Sequence, residues 1–467
     1  MFRSFNKFSN NVALINSSEI LTYKNLIIEI KKLKKIIPKK SLVLIITSNA
    51  LAPIISYVSG IKNNFVTILV DIKTDKKNII EIIKAYKPQF LILPKEHLLK
   101  FSREKNIVYS FYDYLIVKIN NSKKFISNKE LSVLMPTSGS MGSQKFVKIS
   151  KENLKSNTNS IIKYLKIKQH DKSITNMPIS YSYMLSVINT HLECGASIVV
   201  TNKTMLEKAF WDELAKNKIT FFNGVPYIYE ILTRLGLKNC KLETIKTFTQ
   251  AGGKLNEKYL IELIKFCKIN KKKFFVMYGQ AEASPRMTYL DWKNCEKKIG
   301  SIGKAIPSTK IWITNSQRKK ISKPYQIGEL TFYGKNVSSG YSYKFSDLNN
   351  KLEKKKILYT GDLAYFDKEN FFYIKGRKNR IFKIYGNRIN LDEVEFRMKK
   401  KNYDVVLKEV NNKLNVFFEK YYSKNKILKK LNEIIGQNIL QIKFTNLKKF
   451  PRTNSGKINY KKLKSYA

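Results

Sequence analysis

FVTILVDIKTDKKNIIEIIKAYKPQFLILP, residues 65–94, decides how this chain folds. Two short apolar runs rich in β-branched residues, FVTILVD and FLILP, flank KKNIIEIIKAYK, whose apolar positions recur at helical spacing. Strand, crossover helix and strand make up the unit of a parallel sheet, because parallel neighbours need a long connection. The rhythm extends both ways. Upstream, ILTYKNLIIEIKKLKK reads as a strand entering an amphipathic helix, and SLVLIIT as another strand. Downstream, SIVVT (197–201), TFFNGVP (220–226), IKTFTQAGG (245–253) and KFFVMYG (273–279) continue it. After Gly300 the texture changes to Gly-punctuated strands, KIWITN, GELTFYG and FFYIKG, with few helices between them. From about residue 380 a compact segment mixes helices and strands and ends in a basic tail. The expected fold class is α/β with mainly parallel sheets, joined to a smaller β-rich part.

A chain of 467 residues suggests two or three domains with ample core. Cys194, Cys240, Cys267 and Cys295 show no CxxC spacing, and His97, His170 and His191 form no ligand cluster. That pattern argues against a disulfide framework or a zinc site and fits a reducing compartment. The opening MFRSFNKFSNN lacks the apolar centre of a signal peptide, and Ser, Asn, Pro and Gly interrupt the apolar stretches near 41–70. A cytoplasmic protein with no membrane span is expected. The net charge of +53 would ordinarily point to nucleic acid or an anionic membrane. Yet lysine is spread through KKLKKIIPKK, NKKKFF and KLEKKK together with abundant Ile and Asn, with no zinc finger, basic zipper or RNP-type signature. The excess reads as compositional bias, so no specific nucleic-acid partner is expected, only weak nonspecific binding at low salt.

Five motifs carry chemistry. TSGSMGSQK (137–145) joins the apolar run LSVLM to FVKIS, and its glycines and hydroxyls suit a loop that brings backbone N–H groups and Lys145 against phosphate oxygens. It lacks Walker A spacing. YGQAE (278–282) follows a strand, where α/β sheets open a crevice: Tyr278 offers a flat face, Gly279 permits close approach and Glu282 is a lone carboxylate suited to magnesium. YTGD (359–362) puts Asp362 at a turn, where a carboxylate accepts two ribose hydroxyls. GRKNRIFKIYGNRI (376–389) supplies Arg377, Lys383 and Arg388. PRTNSGK (451–457) presents Lys457 on a Gly-bearing loop, a cation able to neutralise a carboxylate and a phosphate as they meet. Each alone has a bland explanation in a turn, a core tyrosine or a solvated charge; their order and company favour chemistry.

Together the five resemble the superfamily of adenylate-forming enzymes: acyl- and aryl-CoA synthetases, nonribosomal-peptide adenylation domains and firefly-type luciferases. LTYKNL (21–26), TQAGGKL (249–255), GSIGKAIP (300–307), GEL and SSGY agree, so the resemblance spans nearly the full chain. It implies a large N-terminal domain, 1–376, of two α/β subdomains and a β-rich one (about 300–376). A small mobile α+β domain, 377–467, would swing about a hinge near Asn379. By resemblance, Thr137, Ser138, Gly139, Ser140, Gly142 and Lys145 belong to the phosphate loop. Gly252, Gly253, Tyr278, Gly279 and Gln280 line the nucleotide, with Tyr278 stacking on adenine; Glu282 holds Mg2+, Asp362 and Arg377 bind ribose, and Lys457 is the adenylation lysine. Lys383 and Gly386 would serve a second, thioester-forming pose. ATP and a carboxylic acid would give acyl-AMP and pyrophosphate, and the acyl group would pass to a thiol of CoA or of a phosphopantetheine carrier.

The pattern departs from the family at Met141 and Ala281, where Thr is usual, and at Gln144, where Pro is usual. Two lost neutral hydrogen bonds would slow catalysis on the order of tenfold to a hundredfold, so the alternatives of a catalytically weakened nucleotide-binding relative or an amino-acid-adenylating enzyme stay open. Amino-acid-activating relatives place Asp where Met184 stands, and no residue from 177 to 190 is acidic; a buried ammonium without a counter-charge is costly, which disfavours an α-amino acid. Tyr181 falls where acyl-CoA synthetases often carry His. With Met184, Phe222, Asn223 and Gly224 it is a candidate wall of the acyl pocket. FVKIS, SYSY and YGQAEASPRMTYL resemble a branch of acyl synthetases whose partner is often an acyl carrier protein, and a basic surface suits an acidic carrier; free CoA is the other acceptor. Oligomeric state is not legible.

Overall fold

The computed structural model describes residues 1–98, 106–119, 126, 128, 130–136, 145–350, 352, 356–384, 387–410, 413–419, 422–435, 442–453 and 456–466. The stretch 65–94 forms strand Val66–Asp71, helix Lys76–Tyr86 and strand Phe90–Pro94. The two strands do not pair with each other. Both run parallel to Leu42–Thr47, one on each side, so the helix crosses over a strand contributed earlier in the chain. They belong to an eight-stranded sheet whose far side carries the antiparallel pair Leu131–Pro136 and Phe146–Ser150, then the short strand Tyr341–Ser342.

A nine-stranded sheet holds Phe221–Gly224, Thr247–Gln250 and Lys273–Gly279 as parallel neighbours, followed by antiparallel Arg286–Leu290 and the short edge strand Lys304–Ala305. Helix Leu51–Asn63 is buried on nearly all sides, and one apolar cluster takes side chains from it and from strands of both sheets. A helix apolar all round has no solvent face to offer and so belongs between layers. By contrast, Tyr23–Ile36 buries only Tyr23, Leu26, Ile30 and Leu33, one stripe worth about 1.5–3 kcal/mol per side chain. Thr22 and Asn25 cap it reciprocally.

The β-rich part is a five-stranded antiparallel sheet that includes Lys310–Thr314, Gly328–Tyr333, Ile357–Phe366 and Phe372–Arg377. Beyond it, helix Leu391–Lys400, helix Lys424–Ile435 and strands Val405–Val410, Lys413–Glu419 and Ile442–Leu447 enclose a cluster built on Leu391, Met398, Leu407, Leu414 and Leu431. Among the described residues no helix is long and apolar enough to cross a membrane.

Asn153 ties these parts together. Its side-chain oxygen accepts from Ser150 N–H at the start of helix Lys151–Leu165 (2.9 Å), and its amide donates to the carbonyls of Lys335 (2.7 Å) and Val337 (2.9 Å). The segment so anchored leads directly to Ser338 and Tyr341. Asn153→Ala leaves one buried and one partly buried carbonyl without this donor, removes its half of the helix cap, and should destabilise the fold by about 1–3 kcal/mol. A urea midpoint within error of the parent protein would show that this anchor is dispensable.

Candidate active site

Two sheets meet around one carboxylate. Asp362 lies at a bend of strand Ile357–Phe366, only 4% exposed. The Tyr278 hydroxyl donates to its Oδ2, as does Gln280 Nε2 at 3.0 Å, while Arg377 Nε stands 3.3 Å from Oδ1. Asp362 and Arg377 are cross-strand partners in the five-stranded sheet, whereas Tyr278 and Gln280 come from the end of the nine-stranded one. Gln280 also donates to Thr360 O at 3.0 Å. Burial pushes the Asp362 carboxyl up, against Arg377 and the two hydrogen bonds, which hold it down.

Gly279 makes this junction possible. A Cβ there would collide with the Pro285 carbonyl, which turns back to accept from Gln280 N–H at 2.9 Å. The turn carries Glu282, whose Oε1 accepts from the Tyr341 hydroxyl at 2.8 Å. Lys145 Nζ lies 3.7 Å over the Tyr341 ring, so cation, ring and carboxylate form a file that reaches the eight-stranded sheet.

Lys457 enters from the far end of the chain. Its loop is tightened by Gly456 N–H on Thr453 O (2.8 Å) and Thr453 N–H on Lys457 O (2.7 Å). Its ammonium stands 5.7 Å from the centre of the Tyr181 ring, and its Cε would lie 3.7 Å from a Cβ at Gly252. Gly252 has φ +90°, and that Cβ would also press on the Tyr181 hydroxyl, so a side chain is excluded twice over. Burial lowers Lys457 to about 8, helped by Arg377 and opposed by Asp362 and Glu282. These charges are therefore near enough to act on one another. Contacts seat the carboxy-terminal segment: Lys399 on Glu230 (3.1 Å), Lys400 on Glu257 (2.9 Å), Lys254 over Phe396 (3.4 Å), Arg452 over Tyr227 (4.8 Å) and Lys378 on Glu329 (3.1 Å).

Other expected residues are placed less directly. Thr137, Ser138, Gly139, Ser140, Met141, Gly142, Gln144, Gly386 and the Lys383 side chain lie outside the described residues. Asn379 sits in the one-turn helix Lys378–Arg380 that follows strand Phe372–Arg377. Phe222 is fully buried against Tyr229 and Phe248, and Gly224 abuts Tyr229 and Ile228, both as core packing. Asn223 accepts from Thr249 (2.6 Å) and lines a small internal void. Met184 is fully buried in the core; from its helix Tyr183, Ser186, Val187, Thr190 and His191 line the void instead. Gly253 packs on Pro226. Sequence reasoning missed Glu329, whose Oε1 accepts from Gly361 N–H at 3.0 Å while Oε2 pairs with Lys378, and gave Tyr341 no role although the motif SSGY contains it.

With that geometry in place, residues 1–342 match the family model described as AMP-binding enzyme. The chain belongs to the AMP-binding enzyme family. Among members of this family it is 31% identical over 272 residues to a long-chain-fatty-acid–CoA ligase of Bacillus subtilis (57% of this chain, 47% of that protein). It is 28% identical over 267 residues to a 2-succinylbenzoate–CoA ligase of Oceanobacillus iheyensis (57% and 53%), so the matches span about half the length of these two curated relatives. A D-alanine–D-alanyl carrier protein ligase of Bacillus licheniformis is 23% identical over 97% of this chain and 96% of that protein. In fold, the o-succinylbenzoate coenzyme A synthetase of Bacillus subtilis in complex with AMP superposes with a TM-score of 0.81 at 20% identity, covering 99% of this chain and 97% of that one.

The depressed Lys457 has a sign that can be measured. Between about 8 and its ordinary 10.5 the unfolded chain binds the proton that the folded chain has lost, so this group adds stability as pH rises through that window and opposes folding below it. In the ligand-free protein, reductive methylation with labelled formaldehyde should yield two lysine resonances titrating near 8, from Lys254 and Lys457, of which one vanishes in Lys457→Met. If every resonance titrates above 10, the buried placement of this ammonium is wrong.

Proposed function

We propose that this protein is an ATP-dependent acid–thiol ligase that converts a carboxylic acid to acyl-AMP with release of pyrophosphate, then passes the acyl group to the thiol of CoA or of a phosphopantetheine carrier. The observation that carries the reading is the convergence of Glu282, Asp362, Arg377 and Lys457, remote in sequence, on one cleft. Asp362 and Arg377 are the ribose contacts. Glu282, with one oxygen engaged by Tyr341, would be the residue to hold magnesium; magnesium needs only one or two protein carboxylates, and no group of three candidate ligands occurs among the described residues. The metal supplies charge neutralisation on the triphosphate.

Lys457 lies between the cleft and Tyr181, where an acid carboxylate meets the α-phosphate. The carboxylate oxygen bonds to phosphorus, the bond from phosphorus to the leaving pyrophosphate breaks, and the ammonium neutralises charge that no water can reach. Bound phosphates raise Lys457 from about 8, so it is cationic at neutral pH when it acts. The boundary near 376 and the hinge at Asn379 serve the second half-reaction, in which a swing removes Lys457 and lets a thiol reach the acyl carbon, with AMP leaving. An α-amino acid is disfavoured, since no acidic residue lines the void beside Tyr183. Four unpaired cysteines agree with a cytoplasmic setting.

Exchange of labelled pyrophosphate into ATP should depend on added carboxylic acid, and Lys457→Ala should cut it by about a hundredfold or more. A folded, ATP-binding protein inert toward a broad acid panel would support the weakened-relative alternative. The triple replacement Met141→Thr, Gln144→Pro, Ala281→Thr should raise the exchange rate on the order of tenfold to a hundredfold. No gain would show that those departures cost nothing.

A further inference from the structure

Among the described residues Arg286 is a buried cation without a counter-charge, its guanidinium hydrogen-bonded to the Tyr164 side chain. It opens strand Arg286–Leu290, directly across from Gly279, and is 3% exposed. Its main chain is pinned on both sides: the carbonyl accepts from Asn157 (2.8 Å) and Asn336 (3.0 Å), and the N–H donates to Asn157 Oδ1 (3.3 Å). The side chain is thereby driven inward. Its guanidinium carbon lies 3.9 Å from the centre of the Tyr183 ring, Nε has no hydrogen-bond partner, and among the described residues it forms no ion pair.

Buried arginines are ordinarily paired, because taking a guanidinium out of water without an anion is expensive and a tyrosine face offsets only part of that cost. The void it lines, with Tyr183, Ser186, Asn223 and Thr249, is about 10 Å³, room for a water-sized group and not for a chain. A file of side chains leads from there to the reacting centre: Arg286 on Tyr183, Tyr183 at 6.3 Å from Tyr181, and Tyr181 under Lys457. Burial pushes the Tyr181 and Tyr183 hydroxyls up to about 12 while Arg286 pulls both down, so its field extends along the whole file.

We infer that Arg286 determines specificity by receiving a second carboxylate at the far end of the acid, so that the substrate is a dicarboxylic acid activated at the end nearer Lys457. A planar guanidinium matches a carboxylate in geometry as well as charge. The acid's body lies along Tyr181 and Tyr183, and its terminal carboxylate enters by displacing whatever water the void holds and by small shifts of the lining side chains. This assignment rests on the ligase reading above.

The test compares C4 to C8 α,ω-dicarboxylic acids with monocarboxylic and ω-hydroxy acids of equal length, in pyrophosphate exchange and, separately, in calorimetric binding. Wild-type protein should prefer one or more diacids by about a hundredfold or more in kcat/KM. Arg286→Met should abolish that preference while sparing or improving monoacids, and Arg286→Lys should keep part of it. Equal use of monoacids or ω-hydroxy acids by the wild type overturns the inference and leaves the ligase reading intact. An equal loss on all acids in folded Arg286→Met shows a packing role only and also overturns it. Should no acid support exchange, the ligase reading fails; selective diacid binding, lost in Arg286→Met, would still support the anion site, and its absence would overturn it. The wild-type comparison stands even if the variants do not fold.

Discussion

The site depends on a carboxylate taken out of water. Asp362 is buried at the seam of two sheets that share no strand, and its oxygens are what Tyr278 and Gln280 on one side and Arg377 on the other have in common. Removing only the carboxylate would take from the Tyr278 hydroxyl and the Arg377 guanidinium the acceptor they share and leave the Gln280 amide with Thr360 O and the Tyr278 hydroxyl oxygen. The seam therefore fixes the relative position of the β-rich sheet and the nine-stranded sheet, and with it the placement of Glu282 relative to Asp362 and Arg377.

Strand ends were the most legible part of the chain, because apolar runs, glycines and turn residues are local signals. KFFVMYG and the turn after it, YTGD and the strand entering Arg377 all fall where their composition puts them. Which strands become neighbours was not legible: Val66–Asp71 and Phe90–Pro94 flank a strand from earlier in the chain, a choice made by the whole sheet. Side-chain direction was equally hidden. Tyr183 and Met184 differ by one position on a helix, about 100° of rotation, and that alone decides which of them lines the void beside Arg286.

Lysine abundance hid some contributors and exposed others. Lys457 and Lys145 stood out only through their motifs, and nothing in composition separates Lys378, Lys399 or Lys400 from dozens of solvated neighbours. Arg286 is different. A single arginine in an apolar strand, RMTYL, shortly after the YGQAE turn is a local oddity, but it stands out only once no acid among the described residues is found to pair with it.

The carboxy-terminal segment is latched to the rest largely by Lys399–Glu230, Lys400–Glu257 and Lys378–Glu329, pairs with at least one partly exposed partner. Such pairs contribute little each and are screened by salt. Contacts of that kind can be undone and remade with small changes in free energy. On the swing proposed above, the ionic medium around the molecule becomes a control on how long the lysine dwells in the cleft.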